Sequence, residues 1–162
     1  MCIRDRANTE EYDGTSWTGG GNLNTTRNGA NGTGTLTAGL VASGTGPASA
    51  LSLTEEYNGT AWTESGDMNT ARRQTSASGS QTAALYAGGS PGQLDNCENY
   101  DGTSWKTTAS ITTARGYLAG LGGAGSSTSA LVFGGSTPSV TAATEEFTAE
   151  STALNLKTLT DS

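Results

Sequence analysis

No histidine occurs anywhere in the 162 residues. The side chain that most often ligates copper and zinc, and most often moves protons near neutral pH, is not there to be used. The two cysteines, Cys2 and Cys97, are too few for the disulfide framework that staples small secreted domains. Lys and Arg number 8 against 15 Asp and Glu, giving a net charge of −7. A basic stripe is missing, and with it the electrostatic footprint of a nucleic-acid binder. Apolar runs such as Ala130–Phe133 ("ALVF") fall far short of the roughly 20 residues a membrane-spanning helix requires. Hydrophobic residues make up only 33% of the chain and charged ones 14%. Such a composition would read as disordered if the apolar residues were scattered, but they are regularly spaced.

What is present is a repeat. "TEEYDGTSW" at Thr9–Trp17 returns as "TEEYNGTAW" at Thr54–Trp62 and as "CENYDGTSW" at Cys97–Trp105, with an eroded "TEEFTAE" from Thr144. Between these copies lie Thr/Ala-Arg pairs ending at Arg27, Arg72 and Arg115. Each is followed by an apolar run closed by small residues: Leu40–Gly44, Leu85–Gly89 and Leu131–Gly135. The pairs Gly88-Gly89 and Gly134-Gly135 close two of these runs, and Ser43-Gly44 closes the other. A period near 45 residues points to a propeller blade or a solenoid unit.

Glycine interrupts every segment, and no stretch keeps a helical apolar period. The short apolar runs bounded by glycine fit strands buried on both faces. Asp13-Gly14, Asn58-Gly59 and Asp101-Gly102 predict two-residue type I′ hairpins joining the tyrosine and tryptophan strands. Each unit is therefore expected to hold four antiparallel strands: one after the Arg, one ending at the small pair, one with Tyr and one with Trp.

This order of Arg, apolar run with Gly-Gly, Tyr and Trp resembles the kelch repeat over about residues 7–150. The resemblance implies an all-β fold of four-stranded blades in a partial β-propeller of about three and a half blades. Residues 7–20 would form a half blade, and 27–66, 72–109 and 115–160 three more. On that reading Tyr12, Trp17, Tyr57, Trp62, Tyr100, Trp105 and Phe147 pack between blades. Propellers generally close with about four to eight blades. The arc is therefore expected to be completed by upstream blades or by self-association. Residues 1–6, "MCIRDR", share nothing with the repeats and resemble a translated sequencing adapter, so they are set apart from the fold.

Several residues invite a chemical reading. Glu10-Glu11, Glu55-Glu56 and Glu145-Glu146 are paired carboxylates, but neighbours on a strand point to opposite faces. Only the first of each pair persists at Glu98-Asn99, beside one Arg per unit, which favours a structural Arg–Glu contact between blades. The copper site of the kelch-type enzyme galactose oxidase uses imidazole ligands, and this chain has none. No cofactor or metal is expected. Cys97 occupies the place of Thr9, Thr54 and Thr144 and reads as a small strand residue. Asn24, Asn31 and Asn58 open Asn-x-Thr sequons in a chain rich in both residues. The glycine stretch at 29–34 lacks the lysine of a phosphate loop.

The connections after each small pair differ between copies and hold all three prolines, Pro47, Pro91 and Pro138. Binding diversity on a repeated scaffold is usually carried by such loops. Pro47, Ser49, Pro91, Gln93, Asp95, Pro138 and Ser139 are therefore the candidate ligand-binding residues. The near-identical Thr/Gly/Asn-rich units also resemble kelch-like repeats of environmental phage structural proteins such as tail fibres. That implies a non-enzymatic binding or structural role at a virion or extracellular surface, with a protein or glycan surface as partner. The alternatives are a fragment of a galactose-oxidase-like or sialate-epimerase-like kelch enzyme, and an intracellular kelch adaptor.

Overall fold

The computed structural model of the chain describes residues 6–118 and 123–148. Every regular element among them is a β-strand. The first unit is a hairpin of β1 (Glu10–Tyr12) and β2 (Trp17–Gly19). The second unit is a four-stranded sheet of β3 (Asn31–Thr35), β4 (Ala38–Ala42), β5 (Thr54–Tyr57) and β6 (Trp62–Ser65), paired in chain order. The third repeats that order with β7 (Ser76–Ser80), β8 (Ala83–Gly89), β9 (Leu94–Tyr100) and β10 (Trp105–Thr108). The fourth contains β11 (Gly123–Gly125), β12 (Ser129–Phe133) and β15 (Thr144–Thr148). The fourth strand expected there falls in 149–162, outside the described residues. A small hairpin of β13 (Ser136–Thr137) and β14 (Ser139–Val140), centred on Pro138, was not anticipated from sequence.

All described pairings are antiparallel. The first strands of successive units, β3, β7 and β11, lie side by side, so the sheets stack face to face. Two apolar layers fill the gaps. Leu40, Ala42, Met68, Tyr86, Tyr100 and Trp105 lie between the second and third units. Leu85, Cys97, Ile111, Leu118 and Val132 form the next layer, with Phe147 at its edge. Burying one such side chain is worth about 1.5–3 kcal/mol, so stacking rather than any single sheet carries the stability.

The tyrosine–tryptophan turns differ from expectation. Each is a four-residue loop: Tyr12 pairs with Trp17, Tyr57 with Trp62 and Tyr100 with Trp105. A type I′ turn needs positive φ at both central residues, yet only the glycines adopt it, at 99°, 90° and 93° for Gly14, Gly59 and Gly102. The preceding Asp or Asn instead caps the loop with its side chain. Asp101 Oδ1 accepts the N–H groups of Thr103 and Ser104 at 3.0 and 2.8 Å, and Asp13 and Asn58 do the same. These bonds hold the Asp13 and Asp101 carboxyls below the usual range.

Two further expectations are corrected. Tyr12 and Trp17 are not packed between sheets: they remain 48% and 65% exposed. Nor does the leader stand wholly apart, because the backbone of Arg6 exchanges both hydrogen bonds with that of Arg27. Residues 1–5 lie outside the described residues.

Candidate functional site

The repeated arginines Arg27, Arg72 and Arg115 are buried and held by several hydrogen bonds each. Arg72 is fully buried. Its Nη2 donates to Glu98 Oε1 at 2.6 Å, Nη1 to the carbonyls of Gly88 (3.1 Å) and Asn96 (2.8 Å), and Nε to that of Thr70 (3.3 Å). Glu98 is equally saturated, accepting from Asn69 N at 2.7 Å, Asn69 Nδ2 at 2.9 Å and Thr70 N at 3.2 Å. Burial works to lower the Arg72 pKa and Glu98 works against that. Arg27 and Glu55 repeat the arrangement at 2.5 Å, and Arg115 pairs with Glu145. The sequence favoured a contact holding blades to one another. The geometry corrects this: each Arg clamps the crossover that enters a sheet to the second and third strands of that same sheet.

Sequence reasoning missed the residues that complete the clamp. Asn24 and Asn69 cap their glutamates and also donate to the carbonyls of Trp62 and Trp105 at 2.9 and 3.1 Å. The signal was in the sequence as "NTTR", "NTAR" and "TTAR", ending at Arg27, Arg72 and Arg115. Taken by sequence alone, Asn24 reads as the start of a sequon. The Asn31 sequon amide is buried and donates to Thr75.

The second glutamates of the first two pairs, Glu11 and Glu56, have a separate task. The Tyr57 hydroxyl donates to Glu11, and the Tyr100 hydroxyl to Glu56 at 2.5 Å, each reaching back to the preceding unit. Burial first, then Glu56, pushes the Tyr100 hydroxyl up to about 12. At the next joint Asn99 replaces the glutamate and Phe147 the tyrosine, so the carboxylate and its phenol donor are lost together. The Glu55-Glu56 pair is therefore divided between a clamp within a sheet and a bond between sheets.

The small pairs shape the strand ends. Gly88 and Gly89 have φ of 61° and 115°, and a Cβ on Gly88 would stand 2.7 Å from Leu118 Cδ1. Gly134 and Gly135 adopt the same conformations at 67° and 91°. Ser43 takes the Gly88 position at φ 68°, with its hydroxyl buried and unpartnered.

Beyond these pairs the chain enters the variable loops. Pro47, Ser49, Pro91, Gln93, Asp95, Pro138 and Ser139 are all exposed, although Asp95 stands at the start of β9 and Ser139 in β14 rather than in open loop as the sequence suggests. Each loop joins the second and third strands of its sheet, so all emerge at one rim. Their bases are tied to the crossover of the next unit by the bridges Leu51–Arg72 and Leu94–Arg115, while Arg73–Ser90 and Gly116–Ser136 continue the belt. These bridges give the connections between second and third strands a hydrogen-bonded support.

Other readings acquire a structural account. Burial raises the Cys97 thiol, which is inaccessible and so not poised to react. Among the described residues no group of three or more metal-ligating side chains converges, and no helix is long and apolar enough to cross a membrane.

No protein-family profile and no curated protein matches the chain. Among solved structures it is similar to one described as "Structure of YjhT", with a TM-score of 0.72 and 15% identity. The match covers 90% of this chain and 50% of that one, so the chain spans half its length. At this identity the likeness establishes an all-β, blade-like architecture.

Proposed function

We propose that the chain is a partial kelch-type β-propeller that serves as a non-enzymatic binding scaffold. Its variable rim recognises a protein or glycan surface, in keeping with a virion or extracellular setting. One observation carries the reading. The recurrent groups with chemical potential, Arg72 and Glu98 and their equivalents, are buried in saturated bonds, whereas the residues that vary from unit to unit stand exposed at one rim. A side chain whose hydrogen-bonding capacity is spent on the fold has none left for a substrate. Exposed loops on a rigid repeat can change without disturbing it.

The rim is built for weak polar recognition. Ser49, Gln93, Asp95 and Ser139 offer donors and acceptors, and Val140, 90% exposed, adds an apolar contact. The test is binding of the labelled chain to glycan arrays and bacterial cell surfaces, beside a variant carrying Ser49→Ala, Gln93→Ala, Asp95→Ala and Ser139→Ala. The reading predicts binding that the variant loses while keeping its fold. Binding unchanged in the variant, or turnover of a sugar by the parent chain, would contradict it.

A further inference from the structure

Among the described residues nothing covers the two end faces of the stack, and their chemistry is reciprocal. We propose that they are the two halves of one interface, with a second copy of this chain as partner. The Tyr12–Trp17 face of one copy packs on the β12–β15 face of the other. This does not depend on what the rim binds.

The joint between the second and third units supplies the template. On the β4–β5 face stand Leu40, Ala42, Thr54 and Glu56, and against them lie Tyr86, Tyr100 and Trp105. Trp105 Nε1 donates to Thr54 Oγ1 at 2.9 Å while Tyr100 donates to Glu56. The Tyr86 hydroxyl donates to Asn31 O at 2.7 Å and Gln81 Nε2 to the carbonyls of Gly39 and Tyr57 at 3.0 and 2.8 Å, so the Tyr–Trp pair meeting a hydroxyl and a carboxylate is one part of a larger joint.

At one end of the stack the Tyr–Trp part of the donor half is preformed on the β1–β2 hairpin, which has no described counterpart of the Tyr86 strand. Tyr12 and Trp17 are tilted at 34° with centroids 5.0 Å apart, matching 36° and 5.0 Å for Tyr100 and Trp105. Yet Trp17 is 65% exposed where Trp105 is 7% exposed. At the other end the acceptor half is displayed. Leu131, Phe133, Thr144 and Glu146 hold the positions of Leu40, Ala42, Thr54 and Glu56. Phe133 is 44% exposed, Thr144 and Glu146 are exposed, and a groove of about 360 Å³ opens beside Leu131 and Glu146. At the intervening joint, where Phe147 offers no donor, the acceptors are replaced by Cys97 and Asn99. The Thr–Glu pair returns at Thr144 and Glu146, on a face that no described sheet covers.

Such a contact is heterologous, because different surfaces of the two copies meet, and two of them can close a ring of two chains. The charge is suited to it, since Glu146 meets neutral donors rather than another carboxylate.

Sedimentation velocity on the 162-residue chain provides the test. The proposal predicts concentration-dependent dimers across the micromolar range. Trp17→Ala and Glu146→Lys should each weaken association by roughly tenfold or more, as truncation of an interface aromatic does. Because both positions are exposed, each variant should keep the parent's circular dichroism and melting temperature. Mixing the two variants should restore association, since a mixed pair retains one intact joint. A chain that stays monomeric, as it would if Trp17 served instead as a sugar platform, overturns the proposal. So does association that neither variant weakens, or that mixing fails to restore.

Discussion

Tyr100 donates its phenolic proton to Glu56 on the preceding sheet at 2.5 Å, whereas the following joint holds Phe147 and Asn99 at the equivalent positions. Donor and acceptor have changed together, as expected when leaving one of them buried alone costs about 1–3 kcal/mol. Asn99 Oδ1 is itself buried without a partner. Asn99→Glu alone should therefore destabilise the fold, and Asn99→Glu with Phe147→Tyr should recover about 1–2 kcal/mol of that loss. Chemical denaturation of the four chains in the cycle measures the coupling. Strict additivity would show that the two positions do not communicate.

Arg72→Ala leaves Glu98 buried without its cation, a change expected to cost about 3–5 kcal/mol. Arg72→Lys should rescue little, because an ammonium cannot reach Gly88, Asn96 and Glu98 with the planar fork that Arg72 uses. Thermal unfolding of both variants checks this. A lysine variant as stable as the parent would mean that charge alone suffices.

Ser43→Gly should stabilise. Ser43 sits at φ 68°, where a Cβ is unfavourable, and its buried hydroxyl has no partner. Removing both burdens should raise stability by about 1 kcal/mol. A lower melting temperature would mean that the hydroxyl does have a structural task.

How far these relationships could be read in advance depends on their range. Strand type, and the four-strand order of the second and third units, followed from local signals: glycine-bounded apolar runs and the recurrence of Tyr and Trp. The turn type did not, because Asp13 and Asp101 can satisfy a loop with either backbone or side chain, and composition does not choose between them. The division of the paired glutamates also escaped. Glu55 and Glu56 are adjacent in sequence but face different sheets, and their partners Arg27 and Tyr100 lie 28 and 44 residues away. The rim was legible as a set of variable loops, since Pro47, Pro91 and Pro138 mark it. Its support through Leu51–Arg72 and Leu94–Arg115 was not, because isolated bridges leave no periodic pattern.

Alkaline pH should destabilise the stack through Tyr100. Its hydroxyl is raised from 10.0 to about 12 in the folded chain, so the folded state favours the neutral phenol. The resulting stability is fully present below pH 10.0 and is lost as pH rises toward about 12. Melting temperature should fall across that window, and Tyr100→Phe should make the fall shallower. An equally steep decline in Tyr100→Phe would assign it to other groups.

The central claim is that the recurrent chemistry belongs to the fold while the rim is free to recognise. It is tested most directly by comparing thermal unfolding of the chain carrying Ser49→Ala, Gln93→Ala, Asp95→Ala and Ser139→Ala with that of the parent. Exposed substitutions away from special features each shift stability by no more than about 0.5 kcal/mol. The account predicts a melting temperature close to the parent's for this rim variant, far above that of Arg72→Ala. A rim variant that unfolds as early as Arg72→Ala would contradict it.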